Sequence, residues 1–206
     1  CALLAVIVLS PVLLIVAILV RVKLGSPILF TQERPGRNGK VFKLYKFRTM
    51  LPPKDGIIDP AQDAARLTPF GKKLRATSAD ELPELFNILK GDMAIVGPRP
   101  LLVQYLDRYN EHQARRHEVR PGFTGLAQVN GRNTVLWEER FAYDLEYVRN
   151  ITLLHDIKII INTIKVVLNR SNITVRKSDG SMDFDKYRKN QMEGKYVHIG
   201  EENIIA

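Results

Sequence analysis

The hydropathy pattern changes character at Arg21. Before it, residues 1–20 (CALLAVIVLSPVLLIVAILV) hold no charged side chain, and at roughly 1.5 Å per residue such a run nearly matches the hydrocarbon core of a bilayer. Arg21 and Lys23 follow at once, and a basic flank there keeps the downstream chain on the cytoplasmic side. A signal peptide has the opposite order, with its basic residues first and a small-residue cleavage site after. Ser10-Pro11 sits at the middle of the run. Proline removes one helical hydrogen bond and kinks the helix, while a neighbouring hydroxyl can answer the freed carbonyl. These residues fit a kinked spanning helix and also a re-entrant helix that dips into one leaflet and returns.

Beyond the anchor, ILFTQERPGRNGKVFKLYKFRT (28–49) reads as two strands around a turn. Pro35-Gly36 and Asn38-Gly39 supply the turn chemistry. A loop with Pro52, Pro53, Gly56 and Pro60 covers 51–66. The pattern predicts a helix from Ser78 to Leu89 ending at Gly91, another over 101–117, and a third over 136–149, with a Gly/Pro-rich loop at 121–131. Residues 151–170 place His155, Lys158, Asn162, Lys165 and Asn169 on a narrow stripe in an otherwise apolar helix. That suits a helix in the membrane interface, the alternative being a mostly buried core helix. The fold class expected is α+β, mainly α. Its parts are a membrane helix over 1–24, a body over 25–170 with a small β-hairpin and interfacial amphipathic helices, and a tail over 171–206 that carries no motif.

Composition sharpens this little; charge does more. Of 206 residues, 45% are apolar and 26% charged, as in ordinary globular domains. The 31 Lys+Arg against 22 Asp+Glu give a net +9, and the balanced tail leaves that surplus in residues 21–170. Such a surplus suits nucleic acid, phosphate-bearing substrates or acidic lipid. The arginines stand in Gly/Pro loops rather than along one helix face, and Trp137 is the single tryptophan, which argues against nucleic acid. Cys1 alone allows no internal disulfide. The four histidines show no metal spacing. A chain that begins inside an apolar run without Met reads as a fragment.

The segment from Arg75 to Asn87 (RATSADELPELFN) carries the most chemistry. Ser78 and Glu81 have capping-box spacing, with Asp80 complementing the helix dipole. The same geometry offers free backbone N–H groups to a phosphate, and an ionised carboxylate there can be a nucleophile or hold a cation. Cations cluster nearby in sequence beside Gly and Pro: Lys46 and Arg48, Arg99 between Pro98 and Pro100, Arg120 before Pro121-Gly122, and Arg132 after Gly131. Prolines on both sides of Arg99 would pre-position its guanidinium for phosphate.

Taken together, these motifs resemble the bacterial sugar transferases, the monotopic phosphoglycosyl transferases. The resemblance runs through Ser10-Pro11, YKFRTM (45–50), DEL (80–82), LFNILKGDM (85–93), VGPRP (96–100), RPGFTG (120–125), QVNGR (128–132) and Asp144…Tyr147-Val148…Asn150. Leu126 stands where tryptophan is common and Phe123 where isoleucine is. The resemblance implies a re-entrant helix broken at Ser10-Pro11. It also implies a membrane enzyme on the cytoplasmic face of the bacterial inner membrane, using a UDP-sugar and undecaprenyl phosphate with Mg²⁺. Asp80 would be the nucleophile and metal ligand, and Glu81 the second essential acid. Arg75 and Arg99 would hold phosphate oxygens, with Lys46, Arg48 and Arg132 as further contacts. The small size suggests the minimal branch of the family and an N-acetylated hexosamine; membrane lipid is a further partner, and a homo-oligomer is open.

Overall fold

The computed structural model describes residues 2–53, 63–131, 136–168, 184 and 187–189. Helix α1 (Ala2–Leu24) runs continuously through Pro11. The carbonyl that proline deprives of its partner is that of Ile7, and Ser10 Oγ donates to it at 2.7 Å. Gly25, at φ 79°, ends the helix with its N–H on the Arg21 carbonyl at 3.1 Å, a left-handed stop that glycine makes without strain. One stripe of α1, Leu13, Val16, Val20 and Leu24, is buried against Phe47 and Leu74. Leu3, Leu4, Ile7, Val8, Leu14, Ile15, Ile18 and Val22 stay exposed. Each such side chain gains about 1.5–3 kcal/mol on leaving water, so this surface calls for lipid.

Strands β1 (Leu29–Pro35) and β2 (Val41–Phe47) form the expected antiparallel hairpin, with Leu29 opposite Phe47 and Pro35 opposite Val41. Its turn places Asn38 and Gly39 at positive φ, which these residue types tolerate best. The expected 51–66 loop lies mostly outside the described residues. Two short helices follow, α2 (Asp63–Arg66) and α3 (Pro69–Ala76). Thr68 caps α3 by accepting the Gly71 N–H at 3.0 Å, and Pro69 sits in the first turn, where no N–H is missed. That Thr-Pro start signal was overlooked in the sequence.

The helix expected from Ser78 is not one helix. Ser78 adopts a left-handed conformation (φ 56°) and makes no capping hydrogen bond. A single 3₁₀ turn, Ala79–Glu81, follows, and only after Pro83 does α4 (Glu84–Lys90) begin. Continuing one helix from Ser78 would have buried Pro83 in its interior, which costs about 3 kcal/mol. Gly91 ends α4 in the left-handed region, as expected.

Strand β3 (Ala94–Val96) leads into the Gly97-Pro98-Arg99-Pro100 loop. The single helix expected over 101–117 is also divided. A 3₁₀ run spans Val103–Arg108, then α5 (Glu111–Ala114), then another 3₁₀ turn. Asn110 restarts the helix with a reciprocal capping box to Gln113. Strand β4 (Gly122–Thr124) pairs parallel with β3. Gly122 is essential there, because a Cβ would lie 2.1 Å from the Gly97 nitrogen. After α6 (Leu126–Val129) come α7 (Trp137–Arg149) and α8 (Leu153–Leu168). The Tyr147 hydroxyl bonds the Val96 carbonyl at 3.2 Å and Asp156 at 3.0 Å, tying α7, β3 and α8 together. Helix α8 buries Ile159 and exposes Leu153, Leu154, Ile157, Ile161, Ile164 and Leu168, so it is not a core helix. The tail is described only at 184 and 187–189.

Candidate active site

The turn between α3 and α4 projects two adjacent carboxylates into different surroundings. Asp80 is buried, and among the described residues no hydrogen bond holds its oxygens. Burial pushes its carboxyl up to about 6; the Glu81 charge adds to the rise, while Lys46, Arg75 and Arg99 oppose it. Glu81 goes the other way. Burial alone would raise it, but the charges and hydrogen bonds of Arg99 and Lys46 outweigh burial and hold it well below the usual carboxylate range. Lys46 Nζ lies 2.6 Å from Glu81 Oε1, and an Arg99 guanidinium nitrogen donates to the same oxygen. Neighbouring carboxyls pushed apart in acidity are suited to separate roles.

Lys46 is shared. Its Nζ also reaches Glu84 Oε1 at 3.1 Å, and Glu84 is almost fully buried at the first position of α4. Its carboxyl is raised to about 7, chiefly by burial, with Glu81 adding to the rise and Lys46 and Arg99 opposing it. Glu84 is a site residue that sequence reasoning missed; its only signal was a third acid three positions after Glu81.

Asn87, with no exposed surface, fixes the relation of β2 to α4. Its Oδ1 accepts the Tyr45 N–H at 3.1 Å and its Nδ2 donates to the Lys43 carbonyl at 2.7 Å. Lys46 is therefore aimed at the carboxylates by a buried side chain one turn beyond them.

Arg99 is held from behind. Arg116 donates to the Arg99 carbonyl at 2.8 Å and grips Asp144 Oδ2 at 2.7 and 3.0 Å. Arg34 donates to the next carbonyl, that of Pro100, at 3.2 Å. The VGPRP and RPGFTG motifs prove to be one backbone unit. Gly97 N–H donates to the Thr124 carbonyl at 2.9 Å, and Gly122 N–H to the Pro98 carbonyl at 3.0 Å.

Of the residues singled out from the sequence, Asp80, Glu81, Lys46, Arg75 and Arg99 share one electrostatic neighbourhood. Arg75 is exposed on α3 with its Nε on Thr49 Oγ1 at 3.0 Å. Arg48 is placed elsewhere. Its guanidinium donates to the Ser26 carbonyl at 2.8 Å and to the Leu24 carbonyl, closing the C-terminus of α1 rather than facing Asp80. Arg132 lies outside the described residues. Ser10 and Pro11 stand within α1, as described above.

The donor set here could hold a Mg²⁺ ion only with help from a substrate. Among the described residues there is no cluster of three His, Cys, Asp or Glu side chains that could cage a metal. Mg²⁺ is commonly held by one or two carboxylates plus substrate phosphates, and the Asp80 oxygens are free of protein partners.

Comparison with known proteins supplies the family. Residues 1–170 match the family model described as "Bacterial sugar transferase". The chain belongs to the bacterial sugar transferase family. It is 48% identical over 180 residues to the uncharacterized sugar transferase EpsL of Bacillus subtilis, covering 84% of this chain and 89% of that protein. It is 42% identical over 163 residues to the undecaprenyl-phosphate galactose phosphotransferase of Salmonella typhimurium, covering 71% of this chain and 34% of that protein. It is 42% identical over 176 residues to the UDP-glucose:undecaprenyl-phosphate glucose-1-phosphate transferase of Klebsiella pneumoniae, covering 80% of this chain and 38% of that protein. The transferase thus spans most of EpsL but little more than a third of the other two.

Proposed function

We propose that this enzyme transfers a sugar-1-phosphate from a UDP-sugar to undecaprenyl phosphate at the cytoplasmic face of the bacterial inner membrane. The observation that carries the reading is Asp80: a buried carboxylate with no hydrogen bond from any described residue, in the field of Lys46, Arg75 and Arg99. An oxygen of Asp80 attacks the β-phosphorus of the donor, the bridging bond between the two phosphates breaks, and UMP leaves with the electron pair. The phosphosugar remains on Asp80. A phosphate oxygen of the lipid acceptor then attacks the same phosphorus, releasing Asp80 and forming the diphosphate-linked lipid sugar. Splitting the displacement in this way lets one cationic pocket serve both steps.

Glu81 stays ionised throughout and holds Lys46 and Arg99 at the rim, where both can turn toward phosphate oxygens. Asp80 would be the residue to hold a Mg²⁺ ion, and such an ion would neutralise charge on the donor phosphates. Two of the named relatives are a galactose and a glucose-1-phosphate transferase, which favours a simple hexose over the N-acetylated hexosamine suggested by small size. Helix α1 enters one leaflet, and α8 lies in the membrane interface.

UMP release in detergent, from a panel of UDP-sugars with Mg²⁺ and undecaprenyl phosphate, tests this. Release that selects one sugar, requires the lipid phosphate and vanishes in Asp80→Asn is the expected result. Undiminished release from a folded Asp80→Asn protein would remove the nucleophile and with it the mechanism.

A further inference from the structure

Phe184 is fully buried, although it lies in the tail where the sequence showed no motif. Its ring is caged by Tyr105, Tyr109, Trp137 and Phe141, with centroids 4.9–5.5 Å away. Leu101 completes the same cluster. Beside it, Tyr187 Oη donates to Glu138 Oε1 at 2.9 Å and Arg188 Nε to the Arg108 carbonyl at 2.9 Å. Arg188 also donates to the Gln113 side-chain oxygen, and Gln113 Nε2 donates to Glu138 Oε2 at 3.0 Å. Tyr187 and Arg188 therefore close on one hydrogen-bonded pair, the buried Gln113 of α5 and the exposed Glu138 of α7.

This cage borders the site. The Arg116 guanidinium lies 5.8 Å from the Tyr109 ring and 5.9 Å from the Phe141 ring, and Phe184 packs on both rings. Arg116 is the group that holds the Arg99 carbonyl, and Leu101 is two residues beyond Arg99. Deleting the Phe184 ring would leave a void under the side chains that support Arg116, and buried aromatic surroundings relax only partly into such voids.

We propose that Phe184, clamped by Tyr187 and Arg188, is a positioning residue that keeps Arg99 in register with Glu81 through Arg116 and Leu101. The proposal rests on the transferase reading for its consequence in turnover, but not for the mechanical coupling itself. A C-terminal residue that merely adds stability would lower the folded fraction and leave each folded molecule fully active.

The test uses the full chain carrying Phe184→Ala, with Arg188→Ala as the milder variant should the first fail to fold. Hydrogen exchange is followed at the amides of Gly97, Arg99 and Leu101. Turnover is measured in a cycle with Arg99→Ala. Expected are faster exchange at those amides with α1 and α3 unchanged, and a loss in kcat/KM of about tenfold or more, as sub-ångström misplacement can cause. In the Arg99→Ala background, Phe184→Ala should cost less than about twofold, because coupled residues are not additive. Uniformly faster exchange, or losses that simply multiply, would overturn the proposal. A wild type inactive on every donor would instead refute the transferase reading, while the exchange data still decide whether Phe184 governs the Arg99 loop.

Discussion

Asp80 and Glu84 are both protonated more readily than exposed carboxyls, and this has opposite meanings for catalysis and for stability. A nucleophilic Asp80 must be ionised, so with its carboxyl at about 6 kcat/KM should rise as pH passes through that value and fall below it. A pH profile flat between 5 and 8 would contradict this. Stability runs the other way. Glu84 titrates near 7 in the fold against an ordinary 4.5, so the native state binds its proton more tightly than the unfolded chain does. Native stability is therefore lost as pH rises from about 4.5 to 7, on the order of 3 kcal/mol for this one group. Glu84→Gln should raise the melting temperature at pH 8 and leave it nearly unchanged at pH 4, measured with chelator present. Strain of this kind is usual where a site holds more acid than the fold prefers.

At the scale of elements, the site is a set of ties between segments distant in sequence. Asn87→Ala would leave the partly buried Tyr45 N–H and Lys43 carbonyl without this partner, at up to about 1–3 kcal/mol for each group that water does not reach. Thermal melting should show a loss of several kcal/mol, with Lys46 freed from its aim and turnover falling further than stability explains. Such ties explain what the sequence could and could not disclose. The β1–β2 hairpin was legible because Asn38-Gly39 and the flanking apolar residues are local signals. So were α7, α8 and the stop at Gly91. The parallel pairing of β3 with β4 was not, since each strand has three residues and their meeting depends on glycines without a Cβ at 97 and 122. Ser78 and Glu81 matched a capping box by spacing, but Pro83 divided the helix and turned the same residues into a 3₁₀ turn. Asp80, Glu81, Lys46, Arg75 and Arg99 were readable as a motif. Glu84, Asn87 and Arg116 act while buried, and burial is the property a single sequence hides best. Arg48 shows the converse, a cation within a motif whose charge serves the end of α1.

For the whole molecule, the packing of α1 limits how the protein can meet a membrane. Its buried stripe runs from Leu13 to Leu24, about 16 Å of helix at 1.5 Å per residue, and Phe47, Phe70, Leu74 and Leu82 lie against it. If residues 2–21 crossed the bilayer upright, that contact would draw the body, with Arg75 and Asp80, into the hydrocarbon. Charged groups there cost several kcal/mol each. The proposed shallow, single-leaflet entry would instead keep the site at the headgroups, within reach of both a lipid phosphate and a soluble nucleotide. It would also account for α8 exposing Leu153, Leu154, Ile157, Ile161 and Ile164 beside Lys158 and Lys165. The sole cysteine, Cys1, provides the probe. In membrane vesicles of known orientation, a membrane-impermeant maleimide should label Cys1 only when the cytoplasmic face is outward, the same face from which protease reaches the body. Labelling from the opposite face alone would mean that α1 spans the bilayer, and the site would then need another route to its lipid acceptor.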